Sequence, residues 1–455
     1  MKRMKTGLML CGGLTAAVLM TGAVIAQTPG ASRGQVTFTK DVAPILQRSC
    51  QKCHRPGQMG PMSLLTFEEA RPWARAIKQK VAVREMPPWY IDRTVGIKKF
   101  KDDPSLTDEE IATIGKWVDG GAPRGHADDM PPPVRFEDGN VWHIGKPSLV
   151  VKSMPHRVPA TGSDWWGDYL VDTGLTEDRY LKAVETKPLP GARQVVHHAV
   201  TFLVQDEGES DLIGRGTGGA GGGLTSVTGP QIGGFLNEYA VGKNGDIFPE
   251  GTGRLVKAGA KIRFNMHYHS NGEAKDDQTE VALVFYPKGY VPKYYILSSH
   301  TGDFEDLDIP AGADNVRSDG YTRVTKNARI TAFQPHMHNR GKAMCMEAIY
   351  PDGKVEMLNC VNDYKFGWHI NYGYEDDVQP MLPAGTILHV IGWHNNTTSN
   401  RYNPDPKNWV GFGQRSIDDM SFAWVNYVWL TDEDFKKQIE ERKVKESRIS
   451  TNQQP

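Results

Sequence analysis

From Gln194 to Leu430 the chain is a succession of short apolar or alternating runs separated by turn residues. The runs are Gln194 to Val204, Lys261 to His269, Thr279 to Phe285, Ala328 to His338, Thr386 to Trp393 and Phe422 to Leu430. Alternation with period two marks a half-buried strand, because successive side chains point to opposite faces. It is cleanest in Lys261 to His269, where Ile262, Phe264 and Met266 share one face and Arg263, Asn265, His267 and His269 the other. Many short strands, in a chain with 48 glycines and 29 prolines, predict an all-β region of antiparallel sandwiches. Asp306 to Val316, which holds Pro310, Gly312 and Asn315, reads as the junction between two jelly-roll-like sandwiches, 136–305 and 306–435. Pro335 has no N–H to give a ladder, so its strand is expected at an edge. Gly214 to Gly223 lacks a strand-to-helix context and reads as a flexible loop rather than a phosphate cradle.

Upstream the periodicity is helical. Phe38 to Arg48 and Phe67 to Val83 read as amphipathic helices, with Pro72 near the first turn of the second. Leu106 to Asp119 reads as a third, with Thr107 as N-cap, Glu110 three residues on, and Gly120-Gly121 as the stop. These make a small all-α domain, 36–126. A proline-bearing linker, 127–135, follows as an extended, semi-rigid spacer. After the second sandwich, 436–455 is a charged tail, expected as a short exposed helix and then disorder.

With 455 residues the chain is too long for one ordinary core. A net charge of -1 gives no sign of a nucleic-acid partner. Lys2, Arg3 and Lys5 precede an apolar run from Leu8 to Met20 and a small-residue site at Val24-Ile25-Ala26. Residues 1–26 therefore read as a secretory signal, with the mature chain starting near Gln27. No other stretch is long and apolar enough to cross a bilayer. The expected location is periplasmic or secreted.

Cys50-Gln51-Lys52-Cys53-His54 is a C-x-x-C-H motif. Positions i, i+3 and i+4 share a helix face, so two thiols can bond to a haem while the imidazole reaches its iron. The order of elements resembles the small class I cytochrome c domain. That resemblance implies one haem c and a methionine as sixth ligand on the loop before the last helix, where Met86 stands in Glu85-Met86-Pro87-Pro88-Trp89. Met59 and Met62 are rivals, nearer the attachment helix.

Three pairs of histidines follow: His197-His198, His267 with His269, and His336 with His338. Two imidazoles at i and i+2 on a strand project from one face and can close on one ion. Adjacent His197 and His198 would do so only if the strand is locally twisted or if different ring nitrogens are used. No Asp or Glu interrupts these motifs to make a zinc-hydrolase helix or a facial triad, and a thioether partner favours copper.

Val196-His197-His198, Met266-His267-Tyr268, His336-Met337-His338 with Gly341-Lys342, Gly411-Phe412-Gly413 and Asp418-Asp419-Met420 occur in this order. The set resembles the copper type II ascorbate-dependent monooxygenases, the family of peptidylglycine α-hydroxylating and dopamine β-monooxygenase. The resemblance implies two coppers, facing each other across a solvent-filled cleft between two sandwiches. His197, His198 and His267 would hold the electron-transfer copper. His336, His338 and Met420 would hold the catalytic one, which meets oxygen.

The peptide-amidating branch uses an arginine where this chain has Gln334, and differs again at Phe422 and Trp424, so amidation is not expected. The animal enzymes are rich in disulfides and carry no haem domain. Cys345 and Cys360 are expected to pair: with Asp352-Gly353 as a two-residue turn, Pro351 opposes Lys354, and counting outward sets the two cysteines opposite each other. His269, His369, His389 and His394 read as structural or as polar neighbours.

The expected function is an exported copper monooxygenase that hydroxylates a C–H bond of a small substrate with molecular oxygen. Electrons would come from an external donor through the fused haem, in place of ascorbate. The competing reading is a non-enzymatic electron-transfer or copper-handling protein. Nitrite or nitrous-oxide reduction is a weak third, since no Cys-His blue-copper spacing occurs.

Overall fold

The computed structural model describes residues 34–136, 141–205, 234–240, 245–302, 306–413 and 415–452, apart from 57 and 59. The expected export signal, the glycine-rich loop and Met59 lie outside the described residues.

The helices form where the periodicity sets them. Thr107 and Glu110 cap each other's backbone at the start of Asp108–Asp119, and Thr66 with Glu69 makes a second capping box on Phe67–Ala70. Pro72 divides the expected Phe67 to Val83 helix: Phe67–Ala70 passes through a 3-10 turn, Arg71–Trp73, into Ala74–Ala82. A missing N–H and a ring that crowds the preceding turn account for the break. Phe38, Leu46, Ile77, Ile114 and Trp117 make the common core of these helices.

The helical segment does not stand off on a spacer. Gln47 Nε2 donates to Pro132 O at 3.0 Å, and Met130 packs on the helical core, so the start of the proline run folds back along the helices. A second attachment comes from the loop after Met86. Tyr90, Ile91 and Phe100 are buried in the core of the second sandwich. Asp92 N donates to Cys360 O at 2.7 Å, Ile97 N to Leu358 O at 2.9 Å, and Lys101 N to Gly373 O at 2.8 Å. Trp89 and Phe100 pack edge-on against Tyr372. Gly96 takes φ +60°, and a Cβ there would run into Leu358 O. Glycine is therefore required both for the turn and for the close approach.

The rest is mostly β. In the first sandwich, Leu149–Lys152, Glu280–Phe285, Arg179–Lys187 and Thr252–Val256 lie side by side in one sheet; Trp165–Asp172, Lys261–Tyr268, Val196–Val204 and Gly234–Ala240 make the other. Ile262, Phe264 and Met266 fill the core between them, as the alternation predicts. In the second sandwich, Tyr294–Thr301, Ser421–Trp429 and Ala328–Met337 face Val316–Arg323, Ile387–His394, Gly341–Ile349 and Val355–Val361.

Tyr294–Thr301 pairs parallel with Thr252–Val256 and antiparallel with Ser421–Trp429, so one sheet of each sandwich is continuous with the other's. The change of partner therefore comes before the expected junction at 306. Ala328–Met337 lies between Ser421–Trp429 and the short strands Tyr372–Gly373 and Met381–Leu382, which pair only as far as Phe333. At Pro335 the strand has a neighbour on one side, which is what a residue without an N–H tolerates.

Cys345 and Cys360 are opposite one another and joined by a disulfide. The count reaches the right pair by a different path. The hairpin turns through three residues, with Ile349 opposite Val355, and a bulge between Met346 and Glu347 restores the register before the cysteines. At the C-terminus, helix Asp432–Asn452 is anchored rather than free. Phe435 and Ile439 pack with Ile296, Val428 and Leu430, and Lys293 pairs with Asp434 at 2.5 Å. Among the described residues no helix is long and apolar enough to cross a membrane.

Candidate metal centre

The first histidine set is built on two paired strands. Val196–Val204 and Lys261–Tyr268 run antiparallel, with Val196 opposite Tyr268 and His198 opposite His267. The extra residue between those pairs is His197. A bulge of this kind re-aims a side chain, and here it turns His197 to the same side as His198. Their Nδ1 atoms are 3.1 Å apart. One donor atom from each of His197, His198 and His267 lies within 4.8 Å of the others. Metal–nitrogen bonds of about 2.0 Å set neighbouring ligand nitrogens about 3 Å apart, so the pair at the bulge has the spacing of two ligands of one ion.

His267 is 1% exposed. Its Nε2 donates to Asp164 Oδ2 at 2.8 Å, and its ring stacks on Trp166 with centroids 3.5 Å apart. The lone pair is thereby fixed on Nδ1, which is buried and makes no hydrogen bond among the described residues. A carboxylate behind a histidine is the usual support of a metal ligand.

Burial lowers the His197 imidazole to about 2 and His198 well below its ordinary value, helped by the neighbouring imidazoles. Burial also lowers His267 to about 4, against the raising effect of Asp164. All three are neutral at pH 7 and offer lone pairs. Below about pH 6.5 the unfolded imidazoles take up protons that the folded ones refuse, so the unfolded state binds more protons and stability falls with pH. The contribution is complete above 6.5 and is lost as pH drops toward 4. For buried His198 and His267, the metal-free protein is expected to lose up to about 1.4 kcal/mol per histidine per pH unit in that window. Urea midpoints at pH 7, 6 and 5 check this, and a flat profile would contradict it.

The second set lies at the end of Ala328–Met337. Met337 points into the core, and His336 and His338 share the opposite face. His336 pairs with Phe422 and Met337 with Ser421, so the next position sets His338 beside Met420. Asp419, fully buried, holds this corner: its carboxylate accepts from His338 N at 2.8 Å, Arg340 N at 3.0 Å and Met420 N at 2.9 Å. His338 Nδ1 donates to Asp418 O at 3.1 Å, which leaves Nε2 with the lone pair. His394 is within reach of Met420 O, at 3.3 Å from Nε2. Burial depresses both His336 and His338, more strongly His336.

The two sets are closer than a solvent-filled cleft implies. His198 and His336 stand on either side of His369, at ring-centroid distances of 5.7 and 5.1 Å. Phe366 wedges between His197 and His338, at 5.0 and 5.1 Å. Phe422 stacks on His336, Trp424 stacks on Phe235, and Gln334 Nε2 donates to buried Glu238. Gln334, Phe422 and Trp424 are thus packed and do not line an open cleft. A cavity of about 1070 Å³ lies beside this corner, bounded by Trp409, Phe412, Arg340, Arg415 and Asp418.

Of the histidines read as structural, His389 is one, held between Glu347 and Asp319 at 2.8 and 2.7 Å. His269 lies 6.3 Å from His197. Asp164, Trp166, Glu238, Phe366 and the role of Asp419 were missed, because none stands in a short motif with a histidine that it supports.

Cys50, Cys53 and His54 occupy one turn, with Cys53 N and His54 N both donating to Cys50 O, at 3.1 and 2.9 Å. Both thiols are half-buried. His54 Nδ1 donates to Met62 O at 3.3 Å, which leaves its lone pair on Nε2. Met86 is half-buried where the chain leaves Ala74–Ala82 for the second sandwich.

No protein-family model and no curated protein sequence matches the chain. The major capsid protein P2 of bacteriophage PM2 aligns with 62% of this chain and 97% of its own at 8% identity and a TM-score of 0.29. The infectious bursal disease virus Gx strain structure aligns with 66% and 75% at 10% identity and 0.18. An allantoicase aligns with 50% and 77% at 11% identity and 0.15. Likenesses this low carry no argument.

Proposed function

We propose that the chain is an exported haem- and copper-containing monooxygenase. It hydroxylates a C–H bond of a small substrate with molecular oxygen, in the manner of the copper type II ascorbate-dependent family it resembles. Cys50 and Cys53 would bond a haem c, with His54 and Met86 as its ligands, and that group would supply one-electron transfer from an external donor. The supporting observation is the convergence of His197, His198 and His267, three neutral imidazoles from two strands, with donor atoms within 4.8 Å. His336, His338 and Met420 supply the second set, with the sulfur that favours copper.

Bound copper would supply one-electron storage at the first set and oxygen activation at the second. The protein's own share is positional. Asp164 and Trp166 fix the His267 ring and its tautomer. Asp419 fixes the backbone of His338 and Met420 together. The packed rings of Phe366 and Phe422 exclude water from the histidines. Substrate approaches from the cavity bounded by Trp409, Phe412 and Arg340, where an apolar ring face and charged groups lie side by side. That suits a small aromatic or amphipathic molecule better than a peptide.

The test is oxygen consumption by reduced, copper-loaded protein with a panel of small aromatic and aliphatic substrates. Uptake that depends on both copper and substrate is expected, with one oxygen atom from labelled O2 in the product. Haem reduction and reoxidation without oxygen consumed on any substrate would favour electron transfer or copper handling instead.

A further inference from the structure

The geometry points to His369 as a metal ligand that joins the second set on its His336 side, with Glu238 as the carboxylate beside it. The inference rests on the proposed reading of His336 and His338 as a metal site and adds a donor to it.

His369 belongs to no paired motif, and its side chain is 1% exposed at the junction of the two sandwiches. Two other buried histidines each reach a protein acceptor. His389 lies between two carboxylates, and His394 reaches Met420 O. At His369 neither ring nitrogen makes a hydrogen bond among the described residues. Its Nδ1 lies 3.3 Å from Glu238 Oε1, and that carboxylate is fully buried. A proton on Nδ1 would face the carboxylate at ion-pair distance and leave the lone pair on Nε2, buried and without a protein donor. A carboxylate behind one nitrogen and nothing at the other is the arrangement of a ligating histidine before its ion.

The spacing agrees. The His369 and His336 rings are 5.1 Å apart. Within the first set the corresponding distances are 5.3, 4.7 and 5.0 Å. The His336 Nδ1 is likewise buried without a hydrogen bond among the described residues. The support is continuous: Gln334, two residues before His336 and so on the same strand face, donates to the second oxygen of Glu238. One strand thus presents His336 directly and, through Gln334, holds the Glu238 carboxylate beside His369. A third imidazole beside the sulfur of Met420 stabilises the oxidised copper ion against the reduced one, lowering the potential of this site relative to a two-imidazole site.

The experiment uses the full chain, with haem, in a His267→Ala background that disables the first set. The chain is metal-depleted and then loaded with cupric ion. Pulsed electron paramagnetic resonance counts coupled imidazoles, and competition with a chelator measures affinity. We expect one copper per chain with three coupled imidazoles, falling to two on adding His369→Ala, with affinity at least 100-fold weaker. Glu238→Gln keeps the imidazole and the packing, and is expected to weaken copper about 10–100-fold. It decides the matter if His369→Ala does not fold. Unchanged imidazole count and affinity in both variants would overturn the inference while leaving the second site standing. No copper at all in the His267→Ala chain would overturn the second site itself.

Discussion

Replacing His198 with alanine is expected to lower bound copper from two ions per chain to one and to abolish substrate-dependent oxygen uptake, with haem content unchanged. His198 is 5% exposed, pairs with His267 across the strands, and its Nδ1 is 3.1 Å from that of His197. Removing it leaves two nitrogens where three converge. The loss of affinity should exceed the roughly 10–100-fold that removal of an outer support costs. Asp164→Asn gives the scale: it leaves all three imidazoles and weakens only the hold on His267, so it should fall within that range. Metal analysis after dialysis, with haem absorbance as the internal standard, reads both. Two coppers retained by the His198 variant would remove this cluster from consideration as a metal site.

Asp419→Ala is expected to destabilise the protein by about 3–5 kcal/mol and to release the second copper while the first stays bound. The fully buried carboxylate accepts three backbone N–H groups, from His338, Arg340 and Met420. Each donor left buried and unpaired costs about 1–3 kcal/mol, less where water enters. The same three bonds hold Met420 against the end of the strand that carries His336 and His338, so stability and metal retention should fail together. Asp419→Asn keeps the shape and part of the accepting capacity and should sit between. Denaturant titration and copper counting measure the two effects. A loss below about 1 kcal/mol with both coppers retained would mean that this corner is held by something else.

The strands were legible because their signal is local. Lys261–Tyr268, Ala328–Met337 and Ser421–Trp429 fall within a residue of where alternation ends. The histidine pairs were legible for the same reason, since i and i+2 on a strand share a face. His197 beside His198 was a different case. Neighbours on a regular strand point apart, and only the pairing with Lys261–Tyr268 shows the bulge that reconciles them. Cys345 and Cys360 were reached by counting from a turn that is built differently, because the bulge between Met346 and Glu347 offsets the longer turn. The docking of Tyr90, Ile91 and Phe100 on the second sandwich was illegible. An apolar residue in a proline-bearing loop does not name a partner some 270 positions away.

The sequence by itself determined which segments alternate, which side chains share a strand face, where a helix is capped, and that Cys50, Cys53 and His54 fall on one turn. These follow from the fixed periods of strand and helix, which need no knowledge of what lies opposite. Only the tertiary structure decided that two histidine sets adjoin through His369, that Glu238 and Gln334 are tied across the junction, and that the loop after Met86 is buried. Those contacts depend on how two sheets share one edge through Thr252–Val256 and Tyr294–Thr301, a pairing set by total burial and not by any local pattern.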